Sequence, residues 1–325
     1  MQAEERPLTG IAILVFALFL FSVQDIVMKS FSGDYSVLQI VYVRCVIGLA
    51  LLFVVLGVRR GIRLSRSKRP NLAFARGLLG FFSYLGYYMA MASLPLAELV
   101  AIVFTMPIFV TIFSAILLRE QVGVRRWSAV IVGFVGVLIV VGPESLSGNI
   151  AVLFAFAAAI TYAGSTILTR FLSPHDEPVT ISMYSMIMFV VGAAVLSIVI
   201  GVGVTAESSH PSLQFLLRDW AIPSLFDLGL MVLIGGIWSL GMYLLTKSYC
   251  LAPASLLSPF EYTYIIWAVV FGFFIWSEVP SVNTFIGIVI LVSSSIYIAR
   301  REMVNGTAEK FANSIDQLNT AKQES

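Results

Sequence analysis

Apolar residues run through this chain in long stretches, interrupted by short clusters of proline, glycine and charge. A helix needs roughly 20 mainly apolar residues to cross about 30 Å of hydrocarbon. By that measure the pattern predicts ten spans: 10–29, 36–57, 71–92, 96–118, 125–142, 149–169, 178–202, 226–250, 253–276 and 281–299. The breaks between them carry turn chemistry: Ser32-Gly33-Asp34, Arg69-Pro70-Asn71, Gly142-Pro143-Glu144, Ser173-Pro174-His175 and Val279-Pro280-Ser281. Two hairpins are very short, Ser93-Leu94-Pro95 and Leu251-Ala252-Pro253. The first apolar run holds Gln24 and Asp25, and no small-x-small cleavage pattern follows it. It therefore reads as a retained span rather than a secretory signal.

Composition sharpens this picture. Of 325 residues, 59% are hydrophobic and only 12% charged, and the mean hydropathy is +0.94. Soluble chains sit near roughly 45–50% apolar and 25% charged, so one water-soluble core cannot hold this surplus. Basic residues set the orientation. With the N-terminus in the cytoplasm, the inner side collects Arg6, the Arg59–Arg69 cluster, Arg119, Arg125, Arg126, Arg170, Lys247, Arg300, Arg301, Lys310 and Lys322. Lys29 and Arg218 face out, while Arg44 and Arg76 sit inside spans. Both termini are then cytoplasmic in a cell inner membrane. The chain divides into an N-terminal segment 1–9, five spans over 10–142, five over 149–299 and a polar tail, 300–325, expected to be disordered. The connector 203–225, with His210, Pro211 and Trp220, reads as an interfacial loop.

Sliding the sequence on itself by 158 residues aligns 92–141 with 250–299, pairing Pro95 with Pro253, Thr105 with Thr263, Phe113 with Phe271 and Glu120 with Glu278. In each copy a hairpin proline opens a long helix that ends in glutamate. Five spans per copy is an odd number, so the second copy enters the membrane from the opposite side. The predicted fold is therefore all-α and membrane-embedded, ten transmembrane helices in two inverted five-helix repeats. Secondary carriers commonly use this plan, with cargo between the halves near the midplane.

Short motifs in order along the chain carry a family resemblance: Tyr42-Val43-Arg44, Arg76-Gly77-Leu78-Leu79-Gly80, Pro95-Leu96-Ala97-Glu98, Leu118-Arg119-Glu120 with Trp127, Gly133 and Gly136, and Pro259-Phe260-Glu261-Tyr262. Together they resemble the drug/metabolite transporter superfamily, in particular its EamA-type carriers, over roughly residues 8–300. Pro-Phe-Glu-Tyr is similar to a subgroup that includes bacterial riboflavin and S-adenosylmethionine carriers. The resemblance implies a transporter of a small organic molecule, with riboflavin uptake first and S-adenosylmethionine uptake or metabolite efflux as alternatives. The second repeat departs from the first in lacking a counterpart of Arg44, where Ser185 stands nearby.

Ionisable residues inside spans are the candidate chemistry, because a charge at the bilayer centre costs at least about 2.5–3.5 kcal/mol on insertion scales. Asp25 and Arg44 lie in the outer parts of adjacent spans, as a substrate anchor or as a structural ion pair. Glu261 follows Pro259, whose missing N–H opens the helix. Its carboxylate serves proton coupling, substrate contact or a helix–helix hydrogen bond. Pro107, after Thr105, is a second kink or hinge. Aromatic residues cluster in span three and recur later, and Phe81, Tyr84 and Tyr88 share one helical face. With Trp238 and Tyr262 they offer a surface on which a planar ligand stacks, or simply pack. Glu98, Glu120 and Glu278 sit at helix ends and read as structural, as do Ala129, Gly133 and Gly136, which allow close helix approach.

Cys45 and Cys250 are far apart and apolar in context, and His175 and His210 have no metal-ligand spacing. No phosphate-binding G-x-x-x-x-G-K-[ST] loop, H-E-x-x-H or G-x-S-x-G occurs. The expected partners are a small-molecule substrate and the lipid bilayer, without nucleic acid, cofactor or metal. A homodimer is compatible with the sequence. A membrane-embedded enzyme is the competing class, with no nucleophile–base constellation behind it.

Overall fold

The computed structural model describes residues 7–60, 66–117, 124–146, 149–172, 175–201, 210–251, 260–261, 263–290, 292–294 and 296–297. All regular structure among them is helical: α1 Pro7–Ser30, α2 Val37–Arg60, α3 Pro70–Met91, α4 Leu96–Val103, α5 Met106–Leu117, α6 Val124–Leu146, α7 Ile150–Leu172, α8 Pro178–Gly201, α9 Pro211–Leu217, α10 Leu225–Leu251 and α11 Thr263–Trp276. Residues 282–290 are also helical. Among the described residues, six segments are long and apolar enough to cross a membrane, lying in α1, α2, α4–α5, α7, α8 and α10. The protein is a multi-pass membrane protein. Prolines open α3, α8 and α9, where a missing N–H costs nothing and the fixed φ suits the first turn.

The predicted single span 96–118 is two helices. It breaks at Phe104-Thr105, just before Pro107. Proline cannot donate to the carbonyl one turn back and its ring crowds that carbonyl. Thr105 lies at the break, and its N–H and its hydroxyl both donate to the Ile102 carbonyl, at 3.0 and 2.8 Å. At the aligned position of the second copy, the Thr263 hydroxyl donates to the Phe260 carbonyl at 2.7 Å. Pro259 lies outside the described residues.

Most helix packing joins the two halves of the chain. α3 packs on α7 and α8, α1 on α10 and α11, and α2 on α8 and α10. If α1, α2, α3 and α4–α5 are exchanged for α7, α8, α10 and α11, each of these interfaces maps onto one that is present. α3 with α7 becomes α10 with α1, and α1 with α11 becomes α7 with α4 and α5. The duplicated sequence has produced a duplicated set of interfaces.

Two glycines make the closest crossings possible. A Cβ on Gly86 would stand 2.8 Å from the Phe154 carbonyl, so α3 and α7 touch backbone to backbone. A Cβ on Gly287 would stand 2.2 Å from Val140 and 2.6 Å from the Gly136 carbonyl, bringing residues 282–290 against α6.

The connector before α10 docks rather than floats. His210 caps α9 by accepting from Ser212 N–H at 3.3 Å. Arg218 donates to the Ser32 carbonyl at 3.0 Å, and the Gln39 amide exchanges two hydrogen bonds with the Ala221 backbone at 2.5 and 3.1 Å.

Candidate functional site

A cavity of about 240 Å³ lies between the halves, lined from α1, α3, α4–α5, α7, α8, α10 and α11. The break between α4 and α5 opens onto it through Phe104 and Met106, and Glu261 and Tyr264 line it from the second half.

Asp25 is the centre of its polar wall, though only 4% exposed. Its Oδ2 accepts from the Tyr87 hydroxyl at 2.7 Å and from the Tyr264 hydroxyl. Its Oδ1 accepts from the Tyr88 hydroxyl at 3.5 Å. Tyr88 in turn accepts from Gln24 Nε2 at 2.7 Å and from Arg44 Nη1 at 3.0 Å. One hydroxyl therefore accepts two hydrogen bonds and donates its own to the carboxylate. The direct Asp25–Arg44 pairing considered from sequence is relayed through Tyr88.

Arg44 does not line the cavity. It is fully buried one layer behind the wall, within 5.3–5.6 Å of the Tyr84, Tyr88 and Trp238 rings. Among the described residues its Nε and Nη2 find no hydrogen-bond partner, so the rings provide much of its electrostatic support. It lies behind because α2 packs on α8 and α10, away from the cavity.

Tyr84, Tyr88 and Trp238 are on the wall, as is Glu261. Tyr84 meets Phe189 edge-on at 5.2 Å, and Phe189 lies 5.9 Å from Trp238. These rings form an aromatic side to the cavity. Phe81, on the same predicted face, packs beneath it against Phe189. Pro107 sits in the first turn of α5, and Tyr262 lies outside the described residues.

Three wall residues were not singled out from sequence. Tyr87 is three residues from Tyr84 and so on its face; the helical repeat alone could have found it. Tyr264 was visible only as one of many aromatics. Arg76 was noted inside a span but given no task. Its Nε donates to Thr169 Oγ1 at 3.1 Å and its Nη1 to Ser185 Oγ. Both acceptors spend their own protons on backbone carbonyls, Thr169 on Ser165 at 2.9 Å and Ser185 on Ile181 at 2.9 Å. They therefore face Arg76 with lone pairs.

Beyond the cavity, the ends of α1, α4 and α11 are tied together. Lys29 Nζ pairs with Glu278 Oε1, lies 4.9 Å over the Trp276 ring and reaches the Leu94 carbonyl at 3.4 Å. The other Glu278 oxygen accepts from Leu96 N–H at 2.9 Å, supplying an orphan donor of α4. Glu278 is aimed there by the close of α11: Glu278 N–H returns to the Gly272 carbonyl and Ser277 N–H to Phe273, with Ser277 at φ 56°. Glu120, its aligned counterpart, lies outside the described residues. Among the described residues no cluster of His, Cys, Asp and Glu has the arrangement of a metal site.

Comparison with known proteins bears on what this cavity serves. The EamA-like transporter family model matches residues 8–142 and again 149–300. An S-adenosylmethionine uptake transporter of Rickettsia bellii is 28% identical over 73% of this chain and 75% of its own length. A pseudopaline exporter of Pseudomonas aeruginosa is 28% identical over 90% of this chain and 96% of its own. A riboflavin transporter of Brucella anthropi is 28% identical over 75% and 82%. A solved crystal structure shares the fold, with a TM-score of 0.61 at 17% identity over 90% of this chain and 98% of that one. The two matched segments carry the motifs on which the resemblance rested, and together they span nearly all of the described helices. The chain belongs to the EamA-like transporter family, a family of transporters and not of enzymes.

Proposed function

We propose that the protein moves an elongated, ring-bearing metabolite carrying positive charge across a cell inner membrane, with S-adenosylmethionine as the leading cargo. Ten spans in two inverted five-helix halves, both termini cytoplasmic, would rock about the cavity in alternating access. The interface list that survives exchange of the halves supports that plan.

One observation carries the cargo reading: Asp25 is held on an aromatic-lined wall by three tyrosine hydroxyls. Among the described residues of that wall, Asp25 and Glu261 are acidic and Arg76 is basic. A carboxylate on that wall can pair with a cationic group of the cargo, and the rings add stacking and cation–π attraction. S-adenosylmethionine combines a sulfonium, an amino-acid head and a planar base, and relatives that carry it are similar over most of this chain. Riboflavin is the second reading, favoured by the Tyr84–Phe189–Trp238 surface and by the relatives named for it. It offers no charge for the carboxylates.

The test is uptake of labelled S-adenosylmethionine by proteoliposomes, with unlabelled S-adenosylmethionine, riboflavin and aromatic amino acids as competitors. The expected result is competition by S-adenosylmethionine well below the others. Asp25→Asn should lower transport far more than it lowers the yield of folded protein. Preferential competition by riboflavin, or equal losses of transport and yield, would overturn the reading.

A further inference from the structure

We infer that Arg76 is the anchor for a carboxylate on the transported molecule, at the end of the cavity away from Asp25. The inference rests on the cavity being the cargo site and adds to it the chemical group that must occupy the other end.

Arg76 is a cation within a span, facing a cavity, and no carboxylate among the described residues pairs with it. A guanidinium has five N–H donors in a rigid fork. Thr169 and Ser185 take one from Nε and one from Nη1. These two neutral hydroxyls fix the plane of the group without neutralising it. The Ser165 hydroxyl donates to the Arg76 carbonyl at 3.2 Å and secures the backbone beneath. The remaining donors, on Nη1 and Nη2, form the outer edge of the fork, the geometry that takes both oxygens of a carboxylate.

Position along α3 adds a length requirement. Arg76 and Tyr87, which holds Asp25, are eleven residues apart, or about 16 Å at a rise of about 1.5 Å per residue. A ligand engaging both ends is extended, with its carboxylate on Arg76 and its cationic or ring-bearing part toward Asp25. A neutral flavin offers the fork only uncharged acceptors and no carboxylate.

The experiment uses the full chain in lipid nanodiscs and measures Kd calorimetrically for two matched pairs. One is S-adenosylmethionine and its decarboxylated form; the other is tryptophan and tryptophan amide. A fork-held carboxylate should favour the acid of a pair on the order of 10-fold to 100-fold. In Arg76→Gln that ratio should fall to near one, with the carboxylate-free member, itself a cation relieved of a like charge, binding no more weakly than to the wild type. Arg76→Lys, which keeps the charge and loses the fork, should retain part of the preference. Acid preference confined to the tryptophan pair would overturn the S-adenosylmethionine reading and leave the anchor standing. Ratios near one in the wild type, binding of none of the four probes, or equal weakening of both members of a pair by Arg76→Gln would overturn the anchor.

Discussion

The Lys29–Glu278 tie makes a sharp test because it joins the first half of the chain to the second through a single charge pair. The perturbation is a double-mutant cycle of Lys29→Met, Glu278→Gln and the two together, which keeps side-chain volume nearly constant. The side chains are 11% and 22% exposed, so neither the exposed nor the fully buried limit applies. Exposed pairs are worth roughly 0.2–1 kcal/mol, while removing one partner of a fully buried pair costs about 3–5 kcal/mol. An intermediate coupling of about 1–2 kcal/mol follows. Glu278→Gln retains an amide oxygen for Leu96 N–H, so the cap is kept and the charge alone is tested. Lys29→Met also gives up the contact with the Trp276 ring and the Leu94 carbonyl. The single variants should therefore differ, Lys29→Met being the less stable. Reversible unfolding of purified protein in detergent, followed by helical circular dichroism, gives the four stabilities. A coupling below about 0.3 kcal/mol, within the additivity expected of independent sites, would refute the claim that this pair fastens the halves.

Three further outcomes are expected. Asp176, in the turn between α7 and α8, accepts from the Ser67 hydroxyl and from Lys68 N–H at 2.9 Å. Burial pushes its carboxyl up, but those hydrogen bonds and the nearby charges of His175 and Lys68 outweigh it and hold the group below the ordinary carboxylate value. Its folded pKa thus lies below its unfolded one, so its stabilisation is complete above about pH 4 and is lost as the pH falls through the folded value. Asp176→Asn should remove that part of the acid sensitivity, read as the difference in Tm between pH 7 and pH 3; an unchanged difference would exclude the residue. Gly287→Ala should destabilise by about 2 kcal/mol or more, because the Gly136 carbonyl is backbone and cannot swing away; a Tm within a degree of wild type would show that the crossing is looser than described. Ser277→Gly should stabilise by about 0.5–1 kcal/mol by relieving a left-handed backbone, measured in the same unfolding assay; no gain would mean that glycine's added unfolded-state freedom cancels the relief.

How much of this was legible in the sequence depends on which quantity had to be known. The helical runs were plain, because apolarity over about 20 residues is a one-dimensional property. The site of the break in 96–118 was signalled by Pro107, but that Thr105 would stabilise it required seeing its hydroxyl on Ile102. Asp25 stood out as a charge in a span. Which side chains reach it did not, since Tyr87, Tyr88 and Tyr264 converge from helices far apart in sequence. Arg44 and Arg76 look alike in one dimension. Only the packing of α2 and α3 puts one behind the wall and the other on it. Glu278 read as a helix end that solvent could satisfy. Its partner Lys29 is 249 residues away, beyond any local pattern.

The packing across the halves bears on how the protein is built as well as on how it moves. A chain leaving the ribosome inserts α1, α2 and α3 long before α7, α8 and α10 exist, yet those later helices are the ones against which the early helices pack. The early helices must wait in the bilayer with their interfaces covered by lipid, and association follows insertion as a separate stage. Among the described residues, each half packs more against the other than within itself. A fragment ending at Leu146 should insert and remain loosely associated, and adding residues 149–297 as a separate polypeptide should restore a stable assembly.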